Sequence, residues 1–199
     1  MTTLKRLDYE YDLVSGKVNF LRYQDGKPDA FYYKYKYDAD NRLTEAWSGT
    51  RALVNNDNGS TLLADNRRLD ASYRYYLHGP LARVELGDEA AKVQGTDYAY
   101  TLQGWIKGVN STTVDVANDM GADGTTIGRD AYGYQLSYYG SGPDVTTPVT
   151  DYKAINGVNP FDDRVAGLTS NFKSLYNGNW IKHTKMTLPG QIKKIPFAS

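Results

Sequence analysis

The stretch DVANDMGADG carries Asp115, Asp119 and Asp123 at four-residue spacing, the arrangement in this sequence most like a cation site. A calcium loop of the EF-hand kind needs oxygen donors at alternate positions before its glycine and a glutamate that closes the site. Neither is present here, so Asp119 and Asp123 are expected as solvated residues of a turn-rich loop, with weak calcium binding as the lesser alternative. His78 lies in YLHGPL and His183 in the basic end, and no serine has a G-x-S-x-G setting. Structural turn or surface roles are expected for both histidines. GSGPD lacks the downstream lysine and the strand-then-helix context of a phosphate loop. With no cysteine and no acid–base or nucleophile grouping standing out, neither enzyme activity nor a cofactor is expected.

The other chemically suggestive set is aromatic. Tyr73, Tyr75, Tyr98, Tyr100 and Trp105 can form a face across adjacent strands, and such rings stack on sugars as readily as on one another. Regular recurrence favours packing between strands, where a cross-strand aromatic pair contributes about 0.2–1 kcal/mol, over ligand contact. The aromatic region lacks interleaved basic residues, which argues against stacking on nucleic acid. Charge balances to zero over the 199 residues, yet no acidic residue follows Asp163, whereas Arg164, Lys173, Lys182, Lys185, Lys193 and Lys194 do. These cations are scattered, so a solvated basic end is expected rather than a nucleic-acid partner. The N-terminus has no apolar segment of signal-peptide length, and no stretch approaches the roughly 18 apolar residues of a membrane span.

The elements that position these groups are read from a repeat. Tyrosine is over-represented, at 18 against 5 phenylalanines. Copies of a Tyr-x-Tyr unit begin at Tyr9 (YEYDLVSGK), Tyr35 (YKYDADNRL), Tyr73 (YRYYLHGPL), Tyr98 (YAYTLQGWI) and Tyr132 (YGYQLSYYG). Strand side chains alternate, so both tyrosines of a pair share one face. In the middle three copies Asn41, Gly79 or Gly104 follows four positions after the second tyrosine and tolerates the positive φ of a chain reversal. Gly16 comes one residue late, and Tyr138 takes that position in the last copy. Each unit is therefore a predicted β-hairpin, too small to bury its apolar face alone.

The fold expected is mainly β: consecutive antiparallel hairpins in an extended, curved sheet over residues 1–199, with little helix. Long insertions fall at about 48–70, 110–130 and 141–170; TRALVNNDNG, inside the first, is compatible with a helical turn or a widened hairpin. NFKSLYNGNWIKHTKM reads as a strand pair restarting around Asn177 and Gly178. Open sheet edges predict edge-to-edge self-association or capping by the chain ends.

These features resemble the YD-repeat, or Rhs, family of bacterial proteins, whose repeat has Tyr-Asp followed by Gly-Arg. Tyr37, Asp38, Asn41 and Arg42 match it, with asparagine replacing the glycine; Tyr11, Asp12, Gly16 and Lys17 match with one extra turn residue. Later copies carry Tyr76 and Thr101 where the aspartate would stand. HGPLARVELG, DYAYTLQGWIKGVNS and GRDAYGYQLSYYG are similar to the variant found in Bacteroidetes. The resemblance implies a secreted or cell-surface β-spiral shell enclosing a toxin or other polypeptide. The repeats are too few to close such a shell, and no region resembles the segment where family shells cleave off their cargo. The expectation is therefore a scaffold segment whose partners are the rest of a larger repeat protein or a polypeptide cargo. A module binding carbohydrate or a surface receptor through the aromatic face is the alternative.

Overall fold

Alternation of tyrosine with polar residues, punctuated by residues that accept positive φ, builds a succession of strands. The computed structural model describes residues 4–50, 67–112, 116–124, 126–139, 152, 158–161, 177–180, 182–187 and 191–195. They form β1 (Leu7–Tyr11), β2 (Val18–Tyr23), β3 (Phe31–Tyr37), β4 (Leu43–Gly49), β5 (Arg67–Tyr75) and β6 (Leu81–Asp88). The series continues with β7 (Ala91–Tyr100), β8 (Ile106–Val109), β9 (Tyr132–Ser137), β10 (Lys182–Thr187) and β11 (Gln191–Ile195). The strands are hydrogen-bonded in chain order, β1 through β11. Among the described residues the only helical element is a 3-10 turn, Val116–Asn118. The chain is mainly β and built from consecutive antiparallel hairpins, as its alternation predicts. TRALVNNDNG lies outside the described residues apart from its first position.

One turn geometry recurs. Thr101 N–H donates to the Trp105 carbonyl at 2.8 Å and Gly104 N–H to the Thr101 carbonyl at 2.9 Å. The same pair of bonds joins Asp38 with Arg42 and Asn41, and Tyr76 with Pro80 and Gly79. Asn41, Gly79 and Gly104 have φ of 61°, 114° and 82°. This is the three-residue hairpin loop in which a type I turn is followed by a left-handed residue at a bulge. Register shifts fall between Glu10 and Tyr11, Lys36 and Tyr37, and Ala99 and Tyr100, so the second tyrosine of each of these pairs marks the bulge. In the first copy the loop is one residue longer, and Gly16, at φ 69°, donates to Asp12 at 2.9 Å.

The aspartate of the Tyr-Asp pair has a local role in this loop. Asp38 Oδ1 accepts the N–H groups of Asp40 at 3.0 Å and Arg42 at 2.9 Å, and Oδ2 accepts Arg42 Nε at 2.8 Å. Asp12 Oδ1 likewise accepts Val14 and Ser15 at 3.0 and 2.6 Å. The hydrogen bonds from Arg42 and from Ser15 hold the Asp38 and Asp12 carboxyls below the ordinary carboxylate value. Thr101 reproduces one of these bonds, its hydroxyl accepting Trp105 N–H at 3.2 Å.

Two compact units divide the chain. The first comprises Met1–Arg74 and Val84–Val93, the second Tyr75–Arg83 and Gln94–Ser199. In the first, register places Glu10, Phe20, Lys34 and Trp47 in a row across one face. Lysine and arginine of the tyrosine-rich strands point to this face, where Arg22 pairs with Glu10, Lys36 with Glu45 at 2.8 Å, and Lys34 lies 5.3 Å from the Phe20 ring centre. Phe20 and Tyr32 are buried here. The opposite face carries Phe31, Tyr33 and Tyr35, with successive ring centres 5.1 and 6.4 Å apart.

In the second unit, Gly95, Asp97 and Ala99 of β7 share a buried face with Gly108 of β8 and Gly133 and Gln135 of β9. Its small side chains leave room for covering segments. Phe161 stacks over Gly108, and the Pro160 carbonyl accepts Thr112 N–H at 2.9 Å and the Ser111 hydroxyl at 3.1 Å. Residues expected as an insertion, 110–130, thus contribute buried groups to the sheet's face. The fifth tyrosine copy continues from β9 to β10 rather than to a nearby strand, pairing Ser137 with Lys182. Tyr138 occupies the turn position there but is buried, its hydroxyl donating to the Ile106 carbonyl at 2.7 Å. Gly178 has φ 84°, the left-handed geometry of a reversal ahead of β10; residues 162–176 lie outside the described set.

Gly104 supplies a direct test of the turn. Nothing lies within 4 Å of a Cβ placed there, so its requirement is conformational and not one of space. Gly104→Val is expected to destabilise the protein by about 1–2 kcal/mol, and Gly104→Asn by clearly less, in chemical unfolding followed by tryptophan fluorescence. Equal stability of all three proteins would contradict a left-handed requirement at this residue.

Candidate metal centre

Four aspartates and one arginine converge in the second unit. Alternation along β7 turns Asp97 inward beside Ala99, and Arg83 projects from β6. The Arg83 guanidinium donates through Nη1 to Asp97 and through Nη2 to Asp123 Oδ1, the latter at 2.6 Å. Asp119 follows the 3-10 turn; its carboxylate accepts Gly121 N–H at 3.2 Å and Asp123 N–H at 2.6 Å. Ala122 and Gly124 adopt φ of 53° and 107°, and Gly124 N–H donates to Ile127 at 2.8 Å, folding the segment back on itself. Asp130 precedes β9. One oxygen from each of Asp119, Asp123 and Asp130 lies within 4.8 Å of the others.

Two glycines let the cluster form. A Cβ on Gly95 would overlap the Arg83 guanidinium and come within 2.6 Å of Asp123 Oδ2, and one on Gly121 would also overlap that guanidinium. Asn110, at φ 56°, ties the neighbouring strands together: its side chain accepts Asp97 N–H and donates to the Tyr132 carbonyl, both at 2.8 Å.

The cluster is acidic and largely shielded from solvent. Arg83, Asp97, Asp119 and Asp123 are 7, 5, 9 and 2% exposed, and both carboxylate oxygens of Asp130 are buried without a hydrogen-bond donor. Burial, reinforced by Asp119 and Asp123, pushes the Asp97 carboxyl up to about 7 against the opposing pull of Arg83. Burial likewise raises Asp130 to about 7, with Asp119, Asp123 and Asp97 adding to it. The expectation of solvated aspartates is overturned: Asp119 and Asp123 are covered because their segment folds onto the glycine-lined face. Asp115 lies outside the described residues. Arg83, Asp97 and Asp130 were not anticipated from local spacing; the inward position of Asp97 beside Ala99 is the one sequence signal that points to the site.

The aromatic candidates are distributed differently. Tyr98 and Tyr100 share the outward face of β7 and are half-buried. Tyr76 packs edge-on against Tyr100 at 6.2 Å and donates its hydroxyl to the Tyr98 carbonyl at 2.7 Å. Trp105 packs against Tyr138 at 5.1 Å and close to Gly178. Tyr75 is a half-buried residue of the second unit, whereas Tyr73 belongs to the first. His78 stacks on Tyr76 at 5.3 Å in the exposed turn.

Burial pushes the Tyr76 phenol up to about 12. A raised phenol retains its proton more firmly when folded, so its contribution to stability is complete below about pH 10 and lost as pH rises from about 10 to about 12. Stability measured over that interval should fall less steeply in Tyr76→Phe than in the parent chain; identical slopes would contradict selective burial of this phenol.

No protein-family model matches the chain, and no curated protein matches it. Among the described residues no helix is long and apolar enough to cross a membrane.

Proposed function

We propose that the chain is a scaffold segment of a YD-repeat shell, enclosing or presenting a toxin or other polypeptide without catalysing a reaction itself. The observation that carries this reading is the repetition of one hairpin loop at Asp38–Arg42, Tyr76–Pro80 and Thr101–Trp105, on strands that follow chain order. A scaffold lengthened by hairpins needs the same reversal repeatedly, whereas a selective binding pocket needs a particular arrangement once. The Tyr-Asp pair has a matching physical basis, since Asp38 organises the reversal that its neighbouring tyrosine enters. Trp105 supports the same view: its contact with Tyr138 gives it a packing role. Secretion or surface display follows from the family resemblance.

The test is to detect the native polypeptide in source cells and medium with an antibody against this chain, and to isolate what accompanies it under native conditions. A product well above 22.3 kDa, protecting another polypeptide or polypeptide segment from protease, is expected. A 22.3 kDa product that protects no polypeptide and binds a glycan array in a manner abolished by Trp105→Ala would replace this reading with the carbohydrate-binding alternative.

A further inference from the structure

We propose that Asp119, Asp123 and Asp130 bind one divalent cation of the calcium class, with Arg83 and Asp97 forming the charged support behind them. Three observations bear on this site independently of the scaffold reading. The first is reach: calcium–oxygen distances are about 2.3–2.6 Å, so oxygens on opposite sides of an ion stand about 4.6–5.2 Å apart. The three carboxylate oxygens, all within 4.8 Å of one another, satisfy that limit together.

The second is the state of Asp130. Its carboxylate oxygens each expose less than 1 Å² and neither meets a hydrogen-bond donor. Asp130 belongs to the same three-oxygen group as two buried carboxylates, so its polar end is directed into the cluster. A buried ionised carboxylate without compensation is strongly unfavourable, and a cation would remove that deficit at its source. Asp119, by contrast, already receives two backbone N–H groups that fix its orientation.

The third is charge and donor type. Four aspartates converge on a single bonded guanidinium, that of Arg83, and a divalent ion would favour their ionised forms and offset the charge they then carry. Every candidate ligand side chain offers oxygen, the donor preferred by calcium and magnesium rather than by softer metals. The site would complete its shell with water or backbone oxygen, as hard cations do when carboxylates are few. By bridging Asp119 and Asp123 to Asp130, the ion would fasten the covering segment at both ends. Its role is therefore structural.

The experiment is calorimetric titration of the chelator-stripped full chain with CaCl2 at pH 7.5 and low ionic strength, with thermal unfolding measured in parallel. One site with a dissociation constant in the range of about 10⁻⁶–10⁻³ M and a calcium-dependent rise in Tm is expected. Asp130→Asn should weaken binding at least tenfold while leaving the metal-free fold intact, because it removes a buried negative charge. Asp119→Asn supplies a second variant should Asp130→Asn fail to fold. Absence of both heat and Tm shift in the parent chain overturns the proposal, as does an undiminished calcium response in folded Asp130→Asn or Asp119→Asn. Preference for MgCl2 over CaCl2 would overturn the calcium assignment.

Discussion

Replacing Arg83 by methionine is expected to destabilise the protein by about 3–5 kcal/mol, the cost typical of stripping one partner from a buried ionic group. Methionine fills much of the same space but leaves Asp97 and Asp123 without the guanidinium that serves both. The repulsion then extends over Asp97, Asp119, Asp123 and Asp130, all contributing to one poorly solvated region. Urea unfolding at neutral pH, in chelator, measures the effect without the screening that a guanidinium salt introduces. Arg83→Met combined with Asp97→Asn should recover part of the loss, since the double variant removes an uncompensated charge together with its partner. A loss under about 1 kcal/mol for Arg83→Met alone would show that the aspartates are already neutralised without Arg83.

Gly108→Val should rank next, at about 1–3 kcal/mol or more. A Cβ at this position would overlap the Tyr134 carbonyl oxygen of the adjacent strand and lie 2.6 Å from Phe161 Cε1 and 2.9 Å from its Cζ. The carbonyl cannot move without disturbing the β8–β9 pairing in which Val109 faces Tyr134. Comparing thermal unfolding of Gly108→Val with Gly104→Val separates two uses of glycine, one spatial and one conformational. If Gly108→Val proved as stable as the parent chain, Phe161 would not be seated over β8.

The hairpins were legible because they depend on information a few residues apart. Tyr35, Tyr37 and Asn41, or Tyr98, Tyr100 and Gly104, state strand phase and reversal within one short window. The acidic cluster is different. Its aspartates at 119 and 123 are local neighbours, but Asp97, Asp130 and Arg83 join them only through tertiary placement. Gly95 and Gly121 make space for the Arg83 guanidinium in the fold, a requirement that no neighbouring residue in the chain announces. Tyr138 illustrates the limit of the repeat itself. It stands where earlier copies turn, yet burial against Trp105 gives the position a packing role.

Chain-ordered pairing also has a consequence for biosynthesis. Through the first eight strands, each strand leaving the ribosome finds its preceding partner already synthesised, so sheet growth can keep pace with translation. The main delay falls after β9, whose Ser137 waits for Lys182 to appear. At roughly 5–20 residues per second, that pause lasts about 2–9 s. During it, β9 presents one unsatisfied backbone edge, making this interval the natural moment for a chaperone, or a second nascent chain, to engage the growing sheet.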